Sequence, residues 1–191
     1  MKLSLESDAV SAAGRAAHDI GIATLLGGNL FGRLAMHPAM EWISSPAERG
    51  KVVNAAWRRY GAFNSAGLAA VVAGWAGARA TETGDRYLTP RERRLARAKD
   101  VAVAAVAVTG VASAVEGVRF GRSAPGGAVP LQSGSEPGPS TPAGPARTKR
   151  VLNGLGRASA VAELALLGVN AALAQENFRR PPARRLLKRR Y

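Results

Sequence analysis

The chain reads as an all-α protein, a four-helix transmembrane bundle with a disordered Pro-rich external loop and a basic cytoplasmic tail. Three observations predict this. Four long, mostly apolar stretches recur, at 17–36, 57–78, 101–118 and 152–175. Charge is concentrated between them, and 61–78 carries none. Stretches of this length match the hydrocarbon thickness that a helix must cross.

The elements follow in order. Ser7 or Asp8 can cap a helix that runs into the first stretch. Acidic Glu6, Asp8 and Asp19 stand where a signal peptide carries basic residues, so the first span is expected to be retained. The span closes at His37-Pro38, where proline stops or kinks a helix. Residues 38–56 connect it to the second span, with an interfacial helix beginning after Ser45-Pro46. Trp57-Arg58-Arg59-Tyr60 pairs aromatic and basic groups, as at a membrane boundary. Residues 79–99 are strongly charged and include a short basic helix near Pro90, and the third span follows Asp100. Residues 1–120 thus hold three spans. Residues 121–150 are expected to be disordered, since 121–149 hold six of the eleven prolines and few large apolar groups. The fourth span occupies 151–176 and the basic tail 177–191.

Orientation follows from Lys and Arg. With four spans, the N-terminus, the 79–99 loop and the tail share one side and carry 16 basic residues, against 9 on the other. Both termini are therefore expected in the cytoplasm of a multi-pass protein of the plasma (inner) membrane. Arg179, Arg180, Arg184, Arg185, Lys188, Arg189 and Arg190 would meet anionic lipid there.

Composition narrows the function classes. No cysteine is present, which excludes disulfides and thiolate-held metals. The net charge of +14 would ordinarily point to nucleic acid. Here 22 of the 27 basic residues are Arg in an Ala- and Gly-rich chain, a bias that a GC-rich genome also produces, and aromatics are too few for a stacking platform. His18 and His37 lie 19 residues apart, about 28 Å along one helix, too far to share a metal or a haem. No nucleophile–base motif and no phosphate-binding Gly loop is present. No cofactor is expected. The competing arrangement is a soluble Ala-rich bundle, which needs polar helix faces that 61–78 and 101–115 lack.

Polar residues inside the spans fall at matching heights. Asn29, Asn64, Ser113 and Ser159 lie about one turn outward of the span midpoints, and Arg33, Glu116 and Arg157 six or seven residues outward. Glu163 repeats with Gly156 and Asn170 every seven residues. Such groups must turn inward and pair. The expected pocket is Asn29, Arg33, His37, Asn64, Glu116, Arg157 and Glu163, with Glu116 facing Arg33 or Arg157. A polar path past Glu163, Thr109 and His18 would mark a proton or solute route. Gly28-x-x-x-Gly32 is a close-packing signature.

The stretch GIATLLGGNLFGRLAMHPAM followed by WRRYGAFNSAG resembles small four-helix membrane families of the anthrone-oxygenase-like kind. There a Gly-rich first helix runs to a His-Pro pair, and a second helix carries an Asn near its start. The matching residues are Gly28, Asn29, His37, Pro38 and Asn64. The resemblance covers a third of the chain and implies a membrane bundle, with a cofactor-free oxygenase among its activities. The residues themselves favour an accessory subunit or partner-binding scaffold. A membrane enzyme or a proton- or solute-handling protein using the outer-half pocket is the alternative.

Overall fold

The computed structural model describes residues 2–81 and 83–178, and the described chain is helical almost throughout. Four long helices dominate: α1 (Lys2–Phe31), α2 (Pro46–Ala80), α3 (Pro90–Arg122) and α4 (Ala143–Phe178). The tail arginines and Lys188 lie outside the described residues.

Two helix starts share one local code. Ser45-Pro46-Ala47-Glu48 begins α2, and Thr89-Pro90-Arg91-Glu92 begins α3. In each, the hydroxyl accepts the amide of the Glu three residues on, and proline occupies a position whose N–H would lack a partner. At Thr89 the Glu92 carboxylate also reaches back to the cap amide, completing a capping box. These caps launch helices longer than the sequence reading allowed. The connector helix after Pro46 and the second span are one helix, and so are the basic helix at Pro90 and the third span.

Pro38 neither stops the first helix nor leaves it regular. The helix loosens into a π stretch over Gly32–Met36, passes through one α turn at His37–Ala39, and tightens over Met40–Trp42. The proline ring would collide with a carbonyl one turn back, and the wider π turn relieves that contact.

Sequential helices run antiparallel. Gly21 meets Gly67, Tyr60 reaches the Thr24 carbonyl, and Gly32 meets Trp57, so α1 and α2 count in opposite directions. The Lys99–Asn170 and Arg91–Glu176 contacts set the same relation for α3 and α4. α1 packs chiefly on α2 and α3 on α4, and α1–α4 and α2–α3 contacts close the bundle. Gly28 and Gly32 do face α2, but they form sockets for the Tyr60 and Trp57 rings. The α1 and α2 backbones approach closely at Gly21 and Gly67, where an added Cβ on Gly21 would stand 2.6 Å from the Gly67 carbonyl oxygen.

The 121–150 segment is the main departure from expectation, because it is ordered. Val129 and Leu131 are fully buried with Met40, Val53 and Phe120 in a second apolar cluster. The Leu131 amide donates to the Pro46 carbonyl (3.0 Å) and the Gly134 amide to the His37 carbonyl (3.2 Å). Asn54 Nδ2 donates to the Gly127 carbonyl (2.7 Å). Arg49 joins the Ile43 carbonyl (2.6 Å) to those of Leu131 and Gln132. Composition failed here because average hydropathy does not register two well-placed anchors or a backbone satisfied by α2. Six prolines also reduce the entropy that ordering removes.

Large apolar side chains lie on the surface, and a few ionisable ones are buried beside the apolar core. Val101, Val108 and Val161 are 71%, 69% and 68% exposed, whereas His18, Lys99 and Glu163 are 3–4% exposed. Among the described residues α3 and α4 are long and apolar enough to cross a membrane, and only 17% and 22% of their most apolar windows are buried in the protein. A core helix of a soluble protein would be mostly buried.

Candidate functional site

A polar seam lies between the Met40–Val53–Phe120 cluster and a first apolar cluster of Ile22, Leu25, Val71, Val106 and Leu166, built by α1 and its π extension, α4, Trp57 of α2 and the Pro-rich segment. Asn29 is its hub. Its amide donates to Glu163 Oε2 (3.3 Å) and to the Gly156 carbonyl (3.2 Å). Its oxygen accepts from Arg33 Nε (2.9 Å). Ser159 donates to Glu163 Oε1 (2.7 Å). Arg33 Nη2 continues to the Asn153 carbonyl (3.2 Å), and the Asn153 amide reaches the Ser135 carbonyl. Ser135 Oγ lies 3.0 Å from His37 Nδ1, and Trp57 Nε1–H donates to His37 Nε2 (3.1 Å).

The seam fixes the His37 tautomer. Indole nitrogen can only donate, so Nε2 holds the lone pair and the proton sits on Nδ1, facing Ser135. A His that already donates to Ser135 cannot draw off its proton, so this pair is not a nucleophile and its base. Burial, then repulsion from Lys149 and Arg33, pulls His37 from 6.5 down to about 4. The unfolded chain therefore binds the proton first as pH falls. The stabilisation is fully present above 6.5 and disappears between 6.5 and 4. The expected loss is on the order of 1–3 kcal/mol. Melting curves of wild type and His37→Gln, followed from pH 7 to 4, check this: the variant should show a flatter profile.

Four of the seven expected pocket residues, Asn29, Arg33, His37 and Glu163, join this seam. Arg157 lies near Arg33 but faces outward from α4. Glu116 is not opposite Arg33 or Arg157. It pairs with Arg119 one turn along its own helix. Asn64 makes no side-chain hydrogen bond among the described residues; Tyr60, one turn earlier, fills the Gly28 socket instead. Sequence reasoning missed Asn153, Ser135 and Trp57. The α4 stripe of Gly156, Glu163 and Asn170, extended back one turn, passes through Asn153, so that signal was available. Ser135 had none, because its place depends on how the Pro-rich segment docks.

A second polar cluster sits toward the 81–89 end. His18 Nδ1–H donates to the Val71 carbonyl (2.8 Å). The Lys99 ammonium lies 4.3 Å over the Trp75 ring and bonds Asn170, which donates to Asp19 (3.0 Å). Trp75 and Arg79 converge on Asp100, and Arg79 also holds Asp85 (2.9 Å). Hydrogen bonds to Asp85 and Asp100 raise Arg79, and the same contact lowers Asp85.

The expected path past Glu163, Thr109 and His18 is interrupted. Ile22, Leu25, Val106 and Leu166 form an apolar layer between the two clusters. The Thr109 hydroxyl bonds its own helix at the Ala105 carbonyl (2.8 Å). Among the described residues no group of His, Asp or Glu could hold a metal ion. No family model, curated protein or solved structure matches this chain.

Proposed function

We propose that the chain is a four-span bundle of the plasma (inner) membrane that serves as an accessory subunit or partner-binding scaffold, with both termini cytoplasmic. One observation carries the membrane reading. Val101, Val108, Val111 and Val118 of α3 and Val161 and Leu164 of α4 face outward while Lys99 and Glu163 are buried, an arrangement suited to lipid and costly in water. α1 and α2 are less apolar alone. α1 packs along α4 from Asp19–Asn170 to Arg33–Asn153, and α2 packs on α1 and α3, which supports a common depth for the four helices. Trp42, 92% exposed beyond the end of α1, suits the headgroup region.

The scaffold role is supported by the closed character of the seam. The donors and acceptors around Asn29 satisfy one another, and packed aliphatic side chains separate them from the cluster at His18, whose Nε2 is buried without a partner. An oxygenase of the anthrone type would need an open pocket at Asn29 and His37, and both are committed to internal partners.

Membrane fractionation tests the first part: the chain should resist alkaline extraction and require detergent. Recovery in a detergent-free supernatant would refute it. Topology is tested by Ser140→Cys and Glu41→Cys, both at exposed positions. Each should react with a membrane-impermeant thiol reagent on intact cells. Labelling at Ser140 but not at Glu41 would leave α3 and α4 as the only spans. A stoichiometric protein partner retained in mild detergent would bear on the scaffold role.

A further inference from the structure

A furrow of about 820 Å³ runs down the outer face of α3 and α4. Ala98, Ala102 and Ala105 line one side and Ala158, Ala162 and Ala165 the other, at matching one-turn spacing, so the helices leave a trough where larger side chains would fill it. Valines extend its apolar wall to Val169. One charge stands at its outer end: Arg157, exposed, with no hydrogen bond or ion pair to any described residue. Nearby charges do not neutralise it. Its charged neighbour is Arg33, and the carboxylate beside Arg33, Glu163, is already bonded to Asn29 and Ser159.

Depth and length decide what would occupy the furrow. Arg157 lies six residues outward of the fourth span's midpoint, about 9 Å along the helix. The hydrocarbon edge is about 15 Å from the midplane, within reach of an extended guanidinium that rests its stem on apolar surface. From Arg157 to Val169 the furrow is about 18 Å long, running from about 9 Å outward of the midplane to about 9 Å inward of it, so an acyl chain descending from a phosphate at the outer hydrocarbon edge would lie in its outer half and reach past the midplane. Phosphate takes two parallel N–H bonds from guanidinium.

Resting on the membrane reading, we propose that this furrow is a lipid site: Arg157 holds the phosphate of an anionic glycerophospholipid of the outer leaflet, and one acyl chain lies along the alanines. An anionic headgroup is favoured over a zwitterionic one because the latter brings its own cation to a region with an excess of positive charge.

The test uses the full chain in mild detergent, titrated with phosphatidylglycerol or phosphatidylcholine of identical chains and read by native mass spectrometry. Wild type should bind one phosphatidylglycerol about tenfold more tightly than phosphatidylcholine. Arg157→Gln should abolish that preference. Ala162→Phe, which fills the trough, should weaken binding of the single lipid with helical content unchanged. Arg58→Gln, at an exposed position of α2 outside the furrow, should change nothing. The site is overturned if Arg157→Gln keeps the preference, if Arg58→Gln removes it instead, or if Arg157→Gln releases a stoichiometric protein from this face. Protein that requires detergent yet shows no headgroup preference refutes the lipid site alone. Protein recovered without detergent refutes the membrane reading itself.

Discussion

Asn29→Leu should lower the melting temperature of the detergent-solubilised protein by about 10 °C. The side chain is the single bridge between Arg33 and Glu163, and it also satisfies the Gly156 carbonyl. Leucine fills a similar volume but removes all three contacts. Two charged groups are then left without their amide partner in a low-dielectric interior, a change that costs about 3–5 kcal/mol when a buried pair is broken. For a chain of this size each kcal/mol moves the midpoint by about 2–4 °C. The triple variant Asn29→Leu, Arg33→Met, Glu163→Leu separates a structural seam from a chemical one. Removing both charges together leaves no unpaired charge, and only the Ser159 hydroxyl and the Gly156 and Asn153 carbonyls lose a neutral partner, so stability should recover most of the loss. If the seam only holds the bundle together, the triple variant keeps its membrane partner. Loss of that partner, or of a biological activity, in a triple variant that melts near wild type would count against the scaffold reading.

The legible part of this fold was the part encoded by local pattern. Four long helices followed from four apolar stretches, and the inward turn of Asn29, Arg33 and Glu163 followed from their spacing on α1 and α4. A polar side chain in an apolar helix has few stable places to point, so helical phase alone locates it. Glu116 shows where that reasoning stops. Phase gave it a depth, but it lies three residues before Arg119 and pairs along its own helix. Proximity in sequence prevailed over matching height, because an i,i+3 pair forms without any tertiary arrangement. Asn64 was misplaced for another reason: the α1–α2 face is keyed by rings seated on Gly28 and Gly32, and ring packing leaves no signature in polarity. The Pro-rich segment was illegible because its order depends on the rest of the molecule. Val129 and Leu131 read as isolated apolar residues until Met40, Val53 and Phe120 surround them.

Gly50→Ala should destabilise the protein, although helix propensity alone favours alanine by about 1 kcal/mol. Gly50 lies in the second turn of α2, directly beneath the Pro-rich segment. A methyl group there would strike the Val129 carbonyl, which is backbone and cannot rotate aside. The segment must lift, and it carries Val129 and Leu131 out of their cluster together. Even partial loss of two buried aliphatic anchors is worth about 2–4 kcal/mol, more than propensity returns. The Arg49 bonds to Leu131 and Gln132, and the Ser135 contact with His37, would loosen with them. Gly154→Ala is the matched control, since nothing lies within 4 Å of its added methyl group and it occupies a regular stretch of α4. That variant should gain about 0.5–1 kcal/mol. Limited proteolysis reads the mechanism directly: Gly50→Ala should become cleavable between 132 and 142 at protease levels that leave wild type and Gly154→Ala intact. Equal protection of all three would mean that the Pro-rich segment does not rest on Gly50.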